Sequence, residues 1–325
     1  MKKVLFASTA VVAFGLAGAA QAADPIALKL GGYSKWLFGY ADNDSSTDLQ
    51  QFDVKGTNEV WFLGSTTLDN GIKVGIDMQL ESGGQTDVRS NQIDEAYVTV
   101  DSVAGRVILG AENNAAYLLH VTAPDAAGVL ENPEVNLMRG NWIASGANAP
   151  TDPQNPHGPF LRSSPGPQLD YESAIQTDGD AEKITYIAPS IYGFTFGVSY
   201  IPGIDNVHGH NQLPMSDNNR LTDLFAFGAG YNNSFGPVGV KLSAGYMMST
   251  DQSDTITSYN EYSFGGQVGY AGFTVGGSYN RINEGDAAPG TAPGATGYSN
   301  DGRTWTAGIQ YATGPAAISF AYMAS

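Results

Sequence analysis

The chain has no cysteine, so in an exported protein it can have no disulfide framework. Beyond its N-terminus it has no run of about 18 apolar residues, which excludes a membrane-spanning helix there. Basic residues are scarce, 15 Lys and Arg against 32 Asp and Glu, and the formal charge of -17 disfavours nucleic acid as a partner. There is no G-x-S-x-G element, and the pairs Gly31-Gly32 and Gly265-Gly266 sit in alternating segments with no helix after them, so no phosphate cradle is implied. Nothing in the chain calls for a cofactor.

What is present starts with an export signal. Met1-Lys2-Lys3 is a basic leader, Val4–Gly18 is apolar apart from small and hydroxyl residues, and Ala20-Gln21-Ala22 is an A-x-A cleavage site. Residues 1–22 are therefore expected to be removed, leaving a domain over 23–325. Loss of Lys2 and Lys3 leaves 15 − 2 = 13 basic residues against 32 acids, a formal charge of -19.

The rest alternates with period two. Ile72, Val74, Ile76, Met78 and Leu80 share one face, opposite Lys73, Gly75, Asp77 and Gln79. Val238, Val240, Leu242, Ala244 and Tyr246 likewise oppose Gly239, Lys241, Ser243 and Gly245. Connections between such segments alternate between short and long. The short ones are Asp69-Asn70-Gly71, Asp101–Gly105, Pro189–Gly193, Asn232–Pro237, Ala271-Gly272 and Thr313–Pro315. The long ones are Ala41–Gln51, Ser82–Asn91, Asn113–Gly179, Gly203–Asn219, Ser249–Ser258 and Ile282–Gly302. A soluble sandwich has no reason to sort its loops by length onto opposite ends, whereas an up-and-down barrel crossing a membrane does. Tyr40, Tyr200, Tyr231, Tyr246, Tyr270, Tyr279, Tyr311 and Tyr322 stand at strand ends, where amphipathic rings meet the membrane–water boundary.

The fold class is thus all-β, a transmembrane antiparallel up-and-down barrel, with thirteen strands at 28–40, 52–68, 72–81, 92–101, 106–112, 181–188, 194–202, 221–231, 238–248, 259–270, 273–281, 303–312 and 316–323. Bacterial single-chain barrels use an even number of strands, so the odd count leads us to expect about three further strands or a hairpin hidden within 113–180.

Leu68-Asp69-Asn70-Gly71-Ile72-Lys73-Val74, Glu95–Val100 followed by Gly105–Gly110, and Ile184-Thr185-Tyr186 followed by Pro189-Ser190 and Gly193-Phe194 occur in order along the chain. Together they resemble the general porins of Gram-negative bacteria, closest to those of α-proteobacteria. The resemblance implies a trimer of sixteen-stranded barrels in the outer membrane, passing small hydrophilic solutes and ions, with the third long loop folded into the bore. Here that loop is 113–180, by far the longest connection. Two features depart from the pattern: Ala111-Glu112 follows the Leu-Gly pair, and no aromatic residue ends the chain.

Strand parity turns Lys29, Lys35, Lys73, Asp77, Glu95, Arg106, Lys183 and Lys241 inward. Asp125, Glu131 and Glu134 on the third loop are expected to face that basic wall across the opening, although Arg139 and Arg162 lie on the same loop. The acidic total points to a preference for cations. Many of the acids, however, fall on the outer loops, among them Asp42, Asp44, Asp217 and Asp254, and the alternative role for these is to bind divalent ions that bridge lipopolysaccharide. The rival readings are a plugged barrel acting as an adhesin or structural protein, and a hydrolase using one of the loop histidines His120, His157, His208 or His210.

Overall fold

A computed structural model describes residues 25–40, 52–81, 93–126, 128, 173–204, 222–251, 259–284 and 302–324. The leader, the outer-loop acids at 42, 44, 217 and 254, Glu131, Glu134, Arg139, Arg162 and the three histidines at 157, 208 and 210 lie outside them.

The alternating segments form thirteen strands: β1 (Ala27–Tyr40), β2 (Phe52–Thr67), β3 (Lys73–Glu81), β4 (Ile93–Ser102), β5 (Gly105–Ala111), β6 (Glu182–Ile187), β7 (Phe194–Gly203), β8 (Thr222–Phe235), β9 (Val238–Asp251), β10 (Tyr259–Tyr270), β11 (Phe273–Glu284), β12 (Gly302–Thr313) and β13 (Ala316–Ala324). They make one sheet in strict sequence order, each strand antiparallel to the next. One helical turn, α1 (Ala115–Leu118), interrupts the third loop.

The short links are tight turns. Ala271 and Gly272 both have positive φ, 51° and 85°, as a two-residue hairpin matched to strand twist requires. At 69–71 the Gly71 N–H donates to the Leu68 carbonyl at 2.8 Å, and Asn70 Oδ1 accepts from the Ile72 N–H at 3.1 Å. One short link is tighter than the sequence suggests. Asn232–Phe235 stays in the ladder, pairing with Lys241–Val238, so only Gly236 and Pro237 turn. The polar run Asn-Asn-Ser has weak strand propensity, but a neighbouring strand supplies the hydrogen bonds and overrides it. Ile282 is likewise no loop residue. It belongs to β11, with 2% of its surface exposed on the inner face.

The two faces differ as a membrane barrel demands. Leu28, Leu30, Phe38, Ile318 and Phe320 each expose 72–80% of their surface on the outer face, an apolar area that water would not tolerate. Ring pairs Phe194–Tyr231 and Phe273–Tyr311, both with centroids 4.5 Å apart, lie beside the short turns, and Trp305–Tyr322 at 5.2 Å lies toward the long connections. The inner face carries Gly, Ser, Thr and, among the described residues, most of the charged side chains.

Inside the bore, near the long connections, is a small apolar core. Ile201, Leu224, Ala226, Met247, Tyr259 and Ile282 of the wall pack against Ala116, Ile175 and Ala181. Burying side chains such as Ile201, Leu224 and Met247 stabilises by about 1.5–3 kcal/mol each, and here it fastens the two legs of the third loop to the wall.

Candidate functional site

Residues 113–126 and 128 lie along the inner wall, meeting the strands in order. The Ala115 N–H donates to Ser199 Oγ of β7 at 2.8 Å, and the Val121 N–H to Ser243 Oγ of β9 at 2.9 Å. Gln267 of β10 donates to the Thr122 carbonyl at 2.8 Å. The Thr122 hydroxyl meets Ser278 of β11 and Thr306 of β12, each at 3.0 Å, and the Ala126 N–H donates to Ser319 Oγ of β13 at 3.0 Å. Lys35 Nζ of β1 then reaches the Gly128 carbonyl at 3.5 Å. The first and last strands therefore touch loop residues only two positions apart, so the sheet curls around this segment.

Glycines make the close approach possible. A Cβ on Gly228 would stand 2.3 Å from the Ala115 carbonyl oxygen, and one on Gly265 would stand 1.6 Å from that of Val121. Inward small residues thus form a track for the backbone, and inward hydroxyls satisfy its N–H groups.

The root of the loop is a buried polar knot. Asn114 Oδ1 caps α1 by accepting from the N–H groups of Ala116 and Tyr117 at 2.9 and 3.0 Å. Its Nδ2 donates to the Ile175 carbonyl at 2.9 Å and to Asp178 Oδ1 at 2.6 Å, joining the two legs. Lys183 Nζ lies 3.2 Å from Asp178 Oδ2, with both side chains fully buried, and also donates to the carbonyls of Gly179 and Glu112. Farther along, the buried Glu261 carboxylate accepts from Thr177, Tyr259 and Asn280 at 2.8–2.9 Å. Asn114→Ala is expected to weaken loop docking by about 2–3 kcal/mol through the lost cap and the stranded Asp178 oxygen. Hydrogen exchange at residues 115–119 would then rise while barrel melting held; unchanged exchange would contradict the knot.

The residues marked in the sequence fall into three groups. Lys73, Asp77 and Arg106, with Lys29, line one cavity of about 670 Å³ at the short-turn end of the bore, to which Leu118 and Leu119 of the third loop also contribute. Arg106 is tied to Asp101, Nε to Oδ1 at 2.5 Å, and Asp77 accepts from the Tyr97 hydroxyl at 3.0 Å. Lys35, stacked over Tyr33 with Nζ 4.7 Å from the ring centre, Asp125, which accepts from Ser319 at 3.4 Å, and the exposed Lys241 lie elsewhere on the inner face. Lys183 and Glu95 are inward too, but buried. Lys183 holds Asp178, and Glu95 accepts from Gln79 at 2.6 Å and Asn113 at 3.0 Å, so Lys183 presents no charged surface to a passing solute and Glu95 very little.

Sequence parity misses an acidic cluster around the knot. The β3–β4 ladder shifts between Met78 and Leu80, placing Asp94 and Glu95 together opposite Gln79. A bulge of this kind redirects a side chain, and Asp94 comes within electrostatic reach of Glu59 and Asp180. Burial raises the Asp180 carboxyl to about 6, with Lys183 opposing and Asp178, Glu112 and Glu59 adding to the rise. Burial also raises Glu112, against hydrogen bonds from Tyr97 and Asn113 and the charge of Lys183. Burial pushes His120 down to about 4, the Ser173 backbone opposing, so its ring is neutral at pH 7. The signal that could have revealed the cluster was Asp94-Glu95 itself, two adjacent acids that strict alternation cannot place on one face.

A model of the Gram-negative porin family matches residues 7–325. Among solved structures, the chain is similar to an anion-selective porin from Comamonas acidovorans, with a TM-score of 0.57 and 14% identity over 92% of this chain and 78% of that one. It is also similar to a porin refined at 1.8 Å resolution, with a TM-score of 0.52 and 14% identity over 91% of this chain and 83% of that one. No curated protein sequence matches it. At such identities the two structures speak for the fold alone.

Proposed function

The chain belongs to the Gram-negative porin family and forms an outer-membrane channel for small solutes and ions; we propose that it does so as a homotrimer of water-filled, cation-preferring diffusion pores, each narrowed by its third loop, after cleavage of residues 1–22. The observation that carries this reading is the loop segment docked along the inner face, with charged side chains left on the same face. Nothing in passive diffusion requires a cofactor.

The sign of the preference rests on the cluster at the loop root. Glu59, Asp94, Glu95, Glu112 and Asp180 crowd there, and among the described residues the cations within their reach are already matched, Lys183 by Asp178 and Arg106 by Asp101. Such a site concentrates cations in proportion to how many of its acids are ionised. The Comamonas neighbour is described as anion-selective; the acid excess here argues for the opposite sign in this chain.

The pH dependence follows from Asp180. Its carboxyl is raised, so it is neutral well below about pH 6 and charged above. Cation preference should therefore increase as pH climbs from 5 to 7, and Asp180→Asn should flatten that rise. Reversal potentials across a KCl gradient in planar bilayers check both. An anion-favouring potential at pH 7 would overturn the cation reading, and silent membranes would overturn the open channel.

A further inference from the structure

The outer face carries one feature that solute passage does not use. Cross-strand partners on that face form a row Phe227–Tyr246–Tyr262–Arg281–Arg303, spanning β8 to β12. Its first three members are aromatic, the composition expected at the membrane–water boundary. The last two are arginines directly opposite each other. The row below, Phe264–Tyr279–Trp305, returns to the apolar and aromatic band. Both arginines stand toward the ends of β11 and β12 that lead to the long connections.

Like charges directly opposite on adjacent strands repel and destabilise the pair. Among the described residues no acid pairs with either guanidinium. Arg281 Nε donates to Asn283 Oδ1 at 2.7 Å, and Asn283 donates to Asn260 at 2.9 Å, so a fixed set of amides holds the Arg281 side chain in place. Arg303 is exposed. Opposed side chains on one sheet face begin about 5 Å apart, close enough for two planar forks to grip one tetrahedral anion.

We propose that Arg281 and Arg303 form a binding site for a phosphate on the head group of lipopolysaccharide in the leaflet at the long-loop end. The height in the membrane selects a lipid over a soluble anion. The aromatic row on one side and the apolar band beneath give the acyl chains and sugar rings a surface to lie on, and the paired charges meet the phosphate. The contact is direct, through arginine, and needs no bridging metal. It rests on the outer-membrane reading, and it goes beyond it by naming the lipid and the residues that hold it.

The test compares delipidated wild type with Arg281→Gln/Arg303→Gln by native mass spectrometry in detergent, titrating bisphosphorylated lipid A. The expected result is about tenfold weaker binding by the double variant, as for loss of a bidentate charge-assisted contact. Removing the phosphates from lipid A should abolish the difference, and Arg281→Lys/Arg303→Lys should restore part of it. Inorganic phosphate alone should not distinguish the two proteins. Equal affinities, a difference that survives dephosphorylation, or the same arginine dependence with phosphatidylglycerol would each overturn the proposal. So would a double variant that loses its oligomer while lipid A binding stays intact, since that would make the arginines a protein contact. Bilayer conductance recorded on the same preparations separates the two readings: a wild type that never conducts fails the channel, whatever the lipid titration returns.

Discussion

Gly265→Val is expected to cut single-channel conductance to about half or less, the sharpest functional loss from any single methyl-bearing substitution on the inner wall. The carbonyl oxygen of Val121 lies 1.6 Å from where a Cβ at 265 would stand, and the Val121 carbonyl carbon lies 2.7 Å away. Ordinary overpacking costs about 1–3 kcal/mol because neighbours shift by tenths of an ångström, and no such shift clears this overlap. Strand β10 cannot retreat, being held on both sides by β9 and β11. The loop must rise instead, and the only free direction is into the bore. That breaks the Val121–Ser243 and Thr122–Gln267 hydrogen bonds and narrows the path. Gly239→Val is the control. It lies on the neighbouring strand with nothing within 4 Å of its Cβ position, and it should leave conductance as it is. Equal conductance in both variants would remove the glycine track from the account.

Lys183→Ala carries the largest expected cost in stability, about 3–5 kcal/mol, because it strands a buried charge. Asp178 Oδ2 makes no hydrogen bond among the described residues and relies on the lysine 3.2 Å away. The same change leaves the Gly179 and Glu112 carbonyls without that donor. Adding Asp178→Leu should recover most of the loss, since two apolar groups at a buried ion pair cost far less than one unpaired charge. Urea titrations of the folded protein in detergent would read the effect. A single variant no less stable than the double would mean that water reaches Asp178 and that the knot is open.

The architecture could be read before any coordinates because a barrel wall is a local pattern. Ile72 to Leu80 and Val238 to Tyr246 show which face is apolar, and the tight links at 69–71 and 271–272 carry the residues that such turns demand. Errors came where a neighbour supplied what the local chain lacked. Asn232–Phe235 looks like a turn in isolation and is a strand because β9 pairs with it. The candidate site was legible in one respect only, which side chains point inward. That Lys183 is buried in an ion pair while Lys73 and Arg106 line a cavity depends on where the third loop lies, and that loop is separated from most of its partners by more than a hundred residues. Asp94 was missed because a bulge breaks the parity on which such reading rests.

By itself the order of residues determined the sheet, its inward and outward faces, the ends at which turns and long loops fall, and the excess of acid. These are nearest-neighbour properties: alternation, turn chemistry and composition act within a few residues. Only the tertiary structure decided which inward charges are free. Docking the loop against Ser199, Ser243, Thr306 and Ser319 removes some groups from water and leaves others wetted. A charge acts on a passing ion only while it remains ionised and unscreened by a partner, and burial and pairing are set by contacts across the bore.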